Sequence, residues 1–406
     1  MFTINSLNSI QNRENFLPID KNGREIIIFK IQNVMLVGKS IFYPNLLLYS
    51  FDHNLVYNPI KEKTMSLEKL SSPLEINIDV PHFTTVNTTP VFFFIYNTDN
   101  YYHFLYDTLP YLITFIHLKK NIDLKLLMNF PSHTSSKFYK FVYEFLHLLG
   151  ITDENIIIAD KNTLYKNIYI STSYTHDINS NLPPRNEIYT FYNSIKIANN
   201  HTFDLPSKIY ISRRSWIHND TSNIGTNYTM RRILENETSL VEYLKSKNYV
   251  EIFTEKLSTI EKISLFRGVT DVIGALGGGL SNVLFSNKNC NVTAICSPGF
   301  LDVNTRFIYS LLNTNLTIFN NTNHSESGDF KKYMRVKYND IVGEISNVNE
   351  NEKIITISYS DEVLSGWNSE LKYKTIDVNA DHCIKLDNGL NSAWHVDIDK
   401  LKELLQ

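Results

Sequence analysis

Short apolar runs alternate with longer amphipathic segments from about residue 90 onward. The runs have strand length and no polar face, whereas the longer segments repeat their apolar positions every three or four residues. Strands without a polar face are typical of parallel sheets that helices cover on both sides. The predicted strands are VFFFIY, LKLLMNF, ENIIIAD and NIYIST, and the predicted helices are YYHFLYDTLPYLITFIHLKK and SSKFYKFVYEFLHLLG. We expect Pro110 to kink or restart the first helix and Gly150 to end the second.

The same alternation begins again near residue 207. The predicted strands of this second half are KIYISRR, YVEIFT, DVIGAL and VTAICSP, and its predicted helices are RRILENETSLVEYLKSK and STIEKISLFRGV. Ser258 and Glu261 have the spacing of a capping box at the start of the second helix. The sequence therefore predicts an α/β fold with two Rossmann-like halves.

The segments that flank the two halves follow a different pattern. Residues 25–58 alternate short apolar runs with turn signals, which predicts an antiparallel β lead-in. From about residue 326, short alternating strands predict a small β module, closed by the helix DIDKLKELL. The proline-containing stretch 178–206 is interpreted as a bridge between the halves. The predicted domains are a β-rich lead-in packed on the first half (1–85), a first Rossmann-like domain (86–200), a second Rossmann-like domain (201–325) and a small C-terminal β module (326–406).

Composition narrows the class of protein. The 406 residues exceed one ordinary domain, and a hydrophobic content of 43% supplies enough apolar surface for sizeable cores. The formal net charge of −3 does not indicate a nucleic-acid-binding field. Three cysteines without close pairs argue against a disulfide framework or a zinc ribbon and favour a reducing compartment. Since no membrane-length apolar run or secretory signal is evident, we expect a soluble, cytoplasmic protein with at most peripheral membrane contact.

The most informative local pattern is DVIGALGGGLSN, in which a predicted strand ends in glycines and an apolar helix start follows. Glycines let backbone N–H groups approach a phosphate without obstruction by Cβ, and a helix N-terminus adds a positive dipole end. Ligands of open α/β sheets lie beyond the carboxyl ends of the strands. The spacing is neither that of a Walker loop nor that of the dinucleotide fingerprint. A tight strand–helix turn without a ligand explains the glycines equally well.

Arginines flank the neighbouring predicted strand. Arg213 and Arg214 leave the strand KIYISRR together, and Arg231 and Arg232 are predicted to open the next helix. Guanidinium groups are permanently charged and bind phosphate oxygens in a bidentate manner, so they suit a diphosphate. Any single arginine is also explained as a surface cation or an ion-pair partner, but four around one loop favour anion binding.

His103 and Asp107 form the pattern H-x-x-x-D in a predicted helix. A spacing of four residues places both side chains on one helical face. A carboxylate near a substrate hydroxyl can act as a general base, and a histidine can position or replace it. An i,i+4 pair that only stabilises the helix is the alternative.

Metal-binding patterns are weak in this sequence. The D-x-D motif Asp397-Ile398-Asp399 opens the last predicted helix, where its carboxylates suit an N-cap and the first helical turn. The sequence contains no HExxH, paired CxxC or GxSxG. We therefore expect neither a metal nor a cofactor.

Four segments, in this order, resemble the family 61 glycosyltransferases, whose bacterial members include capsular-polysaccharide biosynthesis proteins. The resemblance spans about residues 85–315. In that family an H-x-x-x-D segment opens the N-terminal half, an I-S-R-R strand precedes an R-x-I-x-N-E helix, and an L-S-x-x-E-Q-I helix leads to a G-x-H-G-A-x-L-T-N loop. The matching segments are NTDNYYHFLYDTLPYL, KIYISRR, RRILENETSLVEYLKSKNYVEI and LSTIEKISLFRGVTDVIGALGGGLSNVLF.

The resemblance implies a GT-B-like fold and a metal-independent, inverting transfer from a nucleotide-sugar donor, usually a UDP-sugar. The implied acceptor is a glycan or glycolipid hydroxyl in surface polysaccharide or glycoconjugate synthesis, with no nucleic-acid partner. Asp107 would act as the base, helped by His103. Together with the patterns above, the resemblance predicts a donor and diphosphate site composed of Arg213, Arg214, Arg232, Glu237, Gly277, Gly278, Gly279, Leu280, Ser281 and Asn282.

The sequence departs from the family pattern in three places. Leu276 stands where many members carry His, Lys262 where Gln is usual, and Arg267-Gly268 where Asn-Ala is common. A non-catalytic glycan- or nucleotide-binding protein, in which Leu276 marks a decayed site, is therefore a second interpretation. A Rossmann oxidoreductase is disfavoured because no G-x-G-x-x-G follows a strand with an acidic residue about 20 positions later.

Overall fold

The computed structural model of this chain divides into two compact units, Met1–His201 and Thr202–Gln406. Each unit contains its own main sheet. The residues that the structure describes are 2–4, 13–37, 40–42, 48–49, 55–58, 63–66, 74–76, 83–131, 136–160, 162–175, 183–197, 205–214, 232–297, 306–320, 330–359, 374–387 and 392–405.

The described part of the first unit contains strands and three α-helices. The strands are β1 (Phe2–Ile4), β2 (Arg13–Leu17), β3 (Ile26–Val37), β4 (Ser40–Phe42), β5 (Leu48–Tyr49), β6 (Leu55–Asn58), β7 (Lys63–Ser66), β8 (Leu74–Ile76), β9 (Thr85–Asn87), β10 (Val91–Phe93), β11 (Lys125–Met128), β12 (Ile156–Ile158) and β13 (Thr163–Ser171). The helices are α1 (Leu112–Lys119), α2 (Lys140–Leu148) and α3 (Glu187–Ser194). Strands β1 and β8 form one separate antiparallel pair, and β6 and β7 form another.

The main sheet of the first unit is mixed. Its described strands follow the order β12-β11-β10-β13-β3-β4-β5, with β2 beside β3 and β9 beside β13. Strands β9 to β13 pair in parallel, as the apolar runs predict. Strand β3 pairs antiparallel with β13 and covers an edge that would otherwise leave N–H and C=O groups unpaired. The lead-in therefore contributes strands to this sheet, which is not the purely parallel sheet of a Rossmann fold.

The second unit is built around a parallel sheet. Its described strands are β14 (Lys208–Ile211), β15 (Val250–Ile252), β16 (Asp271–Ala275), β17 (Asn291–Cys296) and β18 (Asn315–Asn320), and its helices include α4 (Glu237–Ser246) and α5 (Thr259–Gly268). The order β15-β14-β16-β17-β18 is the 2-1-3-4-5 order of one class of doubly wound sheets. Ser258 and Glu261 form the predicted capping box at the start of α5.

Helix α4 begins later than its sequence pattern predicts. Arg231 lies outside the described residues, and Arg232 precedes the helix with a left-handed backbone (φ 55°). Leu234 forms a parallel bridge with Trp394, and the Glu235 N–H donates to the Trp394 carbonyl at 3.0 Å. The prediction that the two arginines open the helix is wrong for Arg232, because hydrogen bonds to a distant segment outweigh local helical periodicity.

An antiparallel sheet follows the parallel one along the chain. Its described strands are β19 (Arg335–Tyr338), β20 (Ile341–Asn349), β21 (Ile354–Tyr359), β22 (Lys374–Asn379) and β23 (Ile384–Asp387), in the order β22-β21-β20-β19-β23. The sheet has a small core of its own, formed by Met334, Val336, Ile345, Ile355, Ile357 and Val378.

The last helix, α6 (Ile398–Leu404), packs on the parallel sheet rather than closing the β module. Trp394, Val396 and Leu401 are buried in the same cluster as Leu240 and Leu244 of α4. The prediction that this helix closes the module is therefore wrong. The reason is that its apolar face completes the core beside α4.

The described helices are short. The longest, α4 and α5, have ten residues each. Within the part of the chain that the structure describes, no helix is long and apolar enough to cross a lipid bilayer.

Leu401→Ala is expected to destabilise the second unit. Leu401 is fully buried, so its truncation should lower the free energy of unfolding by about 2–5 kcal/mol. Leu404 lies on the same helix but is exposed, and Leu404→Ala should change this free energy by less than about 0.5 kcal/mol. Urea unfolding monitored by circular dichroism measures both variants. Equal effects would contradict the placement of α6 in this core.

Candidate functional site

The candidate donor site lies where the strand order of the second unit reverses. Strands β14 and β16 are neighbours there, and β15 lies on the far side of β14. Doubly wound sheets bind ligands beyond the carboxyl ends of the strands at this reversal. Arg213 and Arg214 follow β14, and the glycines 277–279 follow β16. The fold therefore brings two of the sequence-predicted features to the same edge of one sheet.

The glycine loop lies directly against Arg213. A Cβ at Gly277 would be 3.1 Å from Arg213 Nη1. A Cβ at Gly279 would be 2.9 Å from the Ile211 side chain and 3.0 Å from Thr254 Oγ1. Neither glycine has a positive φ, so close packing rather than backbone conformation favours glycine here. The guanidinium thus packs closely against the backbone of a residue that has no side chain.

The residues after the glycines stabilise the loop from within. Ser281 Oγ donates to the Gly278 carbonyl at 2.6 Å, and Asn282 Nδ2 donates to the Gly279 carbonyl at 2.8 Å. Leu280 is buried, as are Ser281 and Asn282. These residues begin a 3-10 helix of six residues, so the α-helix dipole expected from the sequence is not formed at this point.

Leu276, which stands where the resemblance predicts a histidine, is buried at the end of β16. Its N–H donates to the Ile295 carbonyl at 2.9 Å, and its side chain is 4% exposed. The residue therefore extends the hydrogen bonding of β16 to β17 and contributes apolar surface to the interior. A histidine here would place a polar ring in the space that leucine fills.

Glu237 lies beneath the loop and anchors the end of β14. Its Oε1 accepts hydrogen bonds from Tyr210 Oη at 2.9 Å, from Ser212 Oγ at 3.0 Å and from the Arg213 N–H at 2.6 Å. The residue is 1% exposed, and burial raises the pKa of its carboxyl although the Arg213 N–H acts in the opposite direction. Glu237 therefore holds the backbone of Arg213 in place.

The Arg213 side chain is hydrogen-bonded to the main chain of Arg232. Arg213 Nε donates to the Arg232 carbonyl at 3.2 Å. Burial lowers the pKa of the Arg213 guanidinium, while the nearby Glu237 carboxylate acts to raise it. An arginine remains charged under such a shift, so the loop faces a fixed and partly desolvated cation.

Arg214 forms an ion pair, which is the alternative to anion binding that the sequence allows for these arginines. Its Nε and Nη2 lie 2.6 Å and 2.7 Å from the two carboxylate oxygens of Glu251 on β15. This bidentate hydrogen bonding raises the pKa of Arg214. Because Glu251 already neutralises its charge, Arg214 is less suited than Arg213 to bind a phosphate.

In the first unit, His103 and Asp107 contact each other as their spacing predicts. His103 Nδ1 lies 2.7 Å from Asp107 Oδ2, and Thr175 Oγ1 donates to Asp107 Oδ1 at 3.3 Å. The Asp107 side chain is fully buried, whereas the His103 side chain is 19% exposed. A hydrogen bond to an ionised carboxylate requires a proton on Nδ1, and in that tautomer of the neutral ring Nε2 is the proton acceptor.

The helix that carries this pair is unusually wide. His103–Thr108 is a π-helical segment, followed by a 3-10 turn at Leu109–Tyr111 and then by α1. Pro110 lies in the 3-10 turn, which agrees with the predicted restart of the helix. Widened helical segments of this kind are frequent at functional sites.

Sequence reasoning missed the residues that hold the predicted ones in place. Tyr210 and Ser212 are two positions apart at the end of β14, so the period of a strand could have assigned both to one face. Thr175 and Trp394 carry no local signal, because their partners at Asp107 and Arg232 are distant in the sequence.

The acidic residues of the D-x-D motif have structural partners. Asp397 caps α6 by accepting the Lys400 N–H at 3.1 Å, and Asp399 lies 2.7 Å from the Lys402 ammonium. Within the described ranges, no group of three or more His, Cys, Asp or Glu side chains is arranged to hold a metal ion.

One comparison with known proteins identifies part of the chain. The family model described as Glycosyltransferase 61 matches residues 101–293. This stretch contains the His103–Asp107 pair, Arg213 and the glycine loop, but it ends before the antiparallel module and the segment around Trp394. No curated protein matches the chain.

Glu237→Gln is expected to change how stability depends on pH. The pKa of this carboxyl is raised in the folded protein from its ordinary value of 4.5, so its contribution is fully present below that pH and is lost as the pH rises through the folded value. The wild type should therefore lose stability relative to Glu237→Gln as the pH rises above about 4.5. Melting temperatures across this range measure the difference.

Glu242→Gln is the matched control, because Glu242 lies exposed on the same helix α4. Its difference from the wild type should stay constant across the same pH range. A constant difference for Glu237→Gln as well would contradict the raised pKa of Glu237.

Proposed function

We propose that this chain, whose residues 101–293 match the Glycosyltransferase 61 family model, catalyses an inverting, metal-independent transfer of a sugar from a nucleotide-sugar donor to a glycan hydroxyl. Inversion results from a single displacement at the anomeric carbon. The acceptor oxygen bonds to that carbon as the bond to the diphosphate oxygen breaks. The acceptor proton passes to a base, and the diphosphate leaves with its negative charge.

Arg213 is the proposed cation for the leaving diphosphate. The observation that carries this assignment is the proximity of its Nη1 to the glycine loop, 3.1 Å from the Cβ position of Gly277. Phosphate oxygens at this point would meet both a guanidinium and unshielded backbone. A permanently charged guanidinium supplies the countercharge that a divalent ion supplies in metal-dependent transferases.

The other predicted donor residues are assigned supporting roles. Glu237 holds the Arg213 backbone, and Arg232 accepts the Arg213 Nε–H through its carbonyl. Ser281 and Asn282 fix the glycine carbonyls from inside the loop. These contacts preorganise the cation and the loop, which is how a site stabilises charge that develops only in the transition state.

His103 is the proposed base, and Asp107 is the proposed positioning residue. The sequence favoured the opposite assignment, with Asp107 as base. Full burial of the carboxylate and partial exposure of the imidazole support the exchange of roles. Asp107 would hold the ring with Nδ1 protonated and stabilise the imidazolium after Nε2 takes the acceptor proton.

The resemblance of the motifs supports a UDP-sugar as donor and a glycan or glycolipid as acceptor. The experiment that tests donor class and metal independence is an assay of transfer from UDP-, GDP- and CMP-sugars in the presence of EDTA. We expect turnover with a UDP-sugar to persist under chelation. Arg213→Gln should raise the donor KM about 10- to 100-fold, because it removes a charge-assisted contact.

Two further variants test whether the effect on the donor KM is specific to Arg213. Arg214→Gln should raise the donor KM less, since Glu251 already neutralises Arg214. Arg335→Gln, on the exposed face of β19, should leave it unchanged. If Arg214→Gln had the larger effect, the diphosphate assignment would be wrong, and loss of turnover with EDTA would disprove metal independence.

His103→Ala is expected to lower kcat at least about 100-fold with little change in the KM for the nucleotide sugar. The substitution removes the group that takes the proton but no contact with the nucleotide sugar. Asp107→Asn should lower kcat as well, because the ring loses the partner that fixes its tautomer. Steady-state kinetics with saturating donor measure both effects.

His117→Ala is the control, since His117 is an exposed histidine on α1. It should retain wild-type kcat. If Asp107→Asn abolished transfer while His103→Ala retained most of it, Asp107 rather than His103 would be the base.

A further inference from the structure

The carbonyl oxygen of Arg232 accepts two side-chain hydrogen bonds. Arg213 Nε donates to it at 3.2 Å from the loop side, and Trp394 Nε1 donates to it at 3.2 Å from the C-terminal segment. One oxygen therefore links the proposed diphosphate cation to a residue that is 162 positions away from Arg232. Trp394 also lies outside the stretch 101–293 that the family model matches.

The C-terminal segment around Trp394 is paired with the residues that precede α4. The Trp394 N–H donates to the Ile233 carbonyl at 3.0 Å, and the Glu235 N–H donates to the Trp394 carbonyl at 3.0 Å. Asn236 and Val396 exchange two further hydrogen bonds, at 2.8 Å and 3.0 Å. The backbone that follows the shared carbonyl is thus held by residues 394–396.

Burial makes this pairing persistent. Trp394 is 3% exposed and packs in one core with Leu234 and Leu240. On the more exposed side, Glu235 pairs with Lys331 and His395 at 2.6 Å each. Exposed ion pairs contribute little by themselves, so the buried indole and the main-chain bonds are the stronger constraints.

The conformation of Arg232 increases the need for such a constraint. Its φ of 55° lies in the left-handed region, which non-glycine residues adopt where surrounding contacts enforce it. That conformation determines where the carbonyl points. Without the indole N–H of Trp394, the Arg232 carbonyl would keep its hydrogen bond from Arg213. It would lose the hydrogen bond that fixes it to the core.

We propose that Trp394 is a positioning residue for the donor site, orienting Arg213 through the carbonyl of Arg232. The inference rests on the proposed function, in which Arg213 binds the diphosphate. It extends the transferase site beyond the matched residues 101–293 to the C-terminal segment 392–396. The segment contacts no donor atom itself and acts through main-chain geometry.

Trp394→Phe tests this proposal, because phenylalanine keeps an aromatic ring in the core and removes the N–H donor. We expect the donor KM to rise about 3- to 10-fold, the effect of one hydrogen bond, with kcat changed less than about 2-fold. Leu401→Ala is the matched control. It destabilises the same core without touching the Arg232 carbonyl, so it should lower the melting temperature and leave the donor KM unchanged.

An unchanged donor KM in Trp394→Phe would overturn the proposal. An equal rise of the donor KM in Leu401→Ala would also overturn it, because it would indicate a general loss of packing. If Trp394→Phe does not fold, Asn236→Ala takes its place. It removes both bonds to Val396 and weakens the same pairing, so it should raise the donor KM in the same direction. No rise in Asn236→Ala would equally overturn the proposal.

A double-mutant cycle with Arg213→Lys separates the inference from the proposed function. Lysine lacks Nε, so the bond to the Arg232 carbonyl is absent in that background. Trp394→Phe should then change the donor KM less than about 2-fold. If Arg213→Lys alone left the donor KM unchanged, the diphosphate assignment would fail. If Arg213→Lys raised it and Trp394→Phe added its full effect, the positioning role alone would fail.

Discussion

One buried carboxylate oxygen, Glu237 Oε1, organises the proposed donor site. It accepts three hydrogen bonds from the end of β14, namely from Tyr210, Ser212 and the Arg213 N–H. Glu237 is also the first residue of α4, so one atom fixes the exit of a strand relative to the start of a helix. Burial disfavours the charge, and the donors offset part of that penalty. The direction of the Arg213 side chain depends on this balance.

Neighbouring residues in the same motif have different chemical roles for a simple geometric reason. Successive side chains of an extended chain point to opposite sides, so Arg213 and Arg214 diverge on leaving β14. Arg213 meets the glycine loop and a main-chain carbonyl, while Arg214 meets Glu251. In the proposed function, a doubled arginine therefore provides one cation for the diphosphate and one for the scaffold. The pair His103 and Asp107 is divided in the same manner, into a partly exposed imidazole and a buried carboxylate.

The sequence predicted those features that depend on local pattern. The parallel strands, the capping box of Ser258 and the contact between His103 and Asp107 all follow from spacing. It did not predict the left-handed Arg232 or the packing of α6 beside α4, because both depend on hydrogen bonds and burial between residues more than a hundred positions apart. The sequence also could not show which residue of the pair His103 and Asp107 is the more buried one. Periodicity reports which residues share a face, but not how deep that face lies.

The pairing of residues near 234 with residues near 394 has a consequence for how the chain acquires its fold. The core of the second unit is closed by Val396 and Leu401, which are synthesised after every strand of the parallel sheet. Strands β14 to β18 can pair earlier, but the apolar face of α4 remains uncovered until the chain has grown past Leu401. Incomplete chains would expose that face and be prone to aggregate.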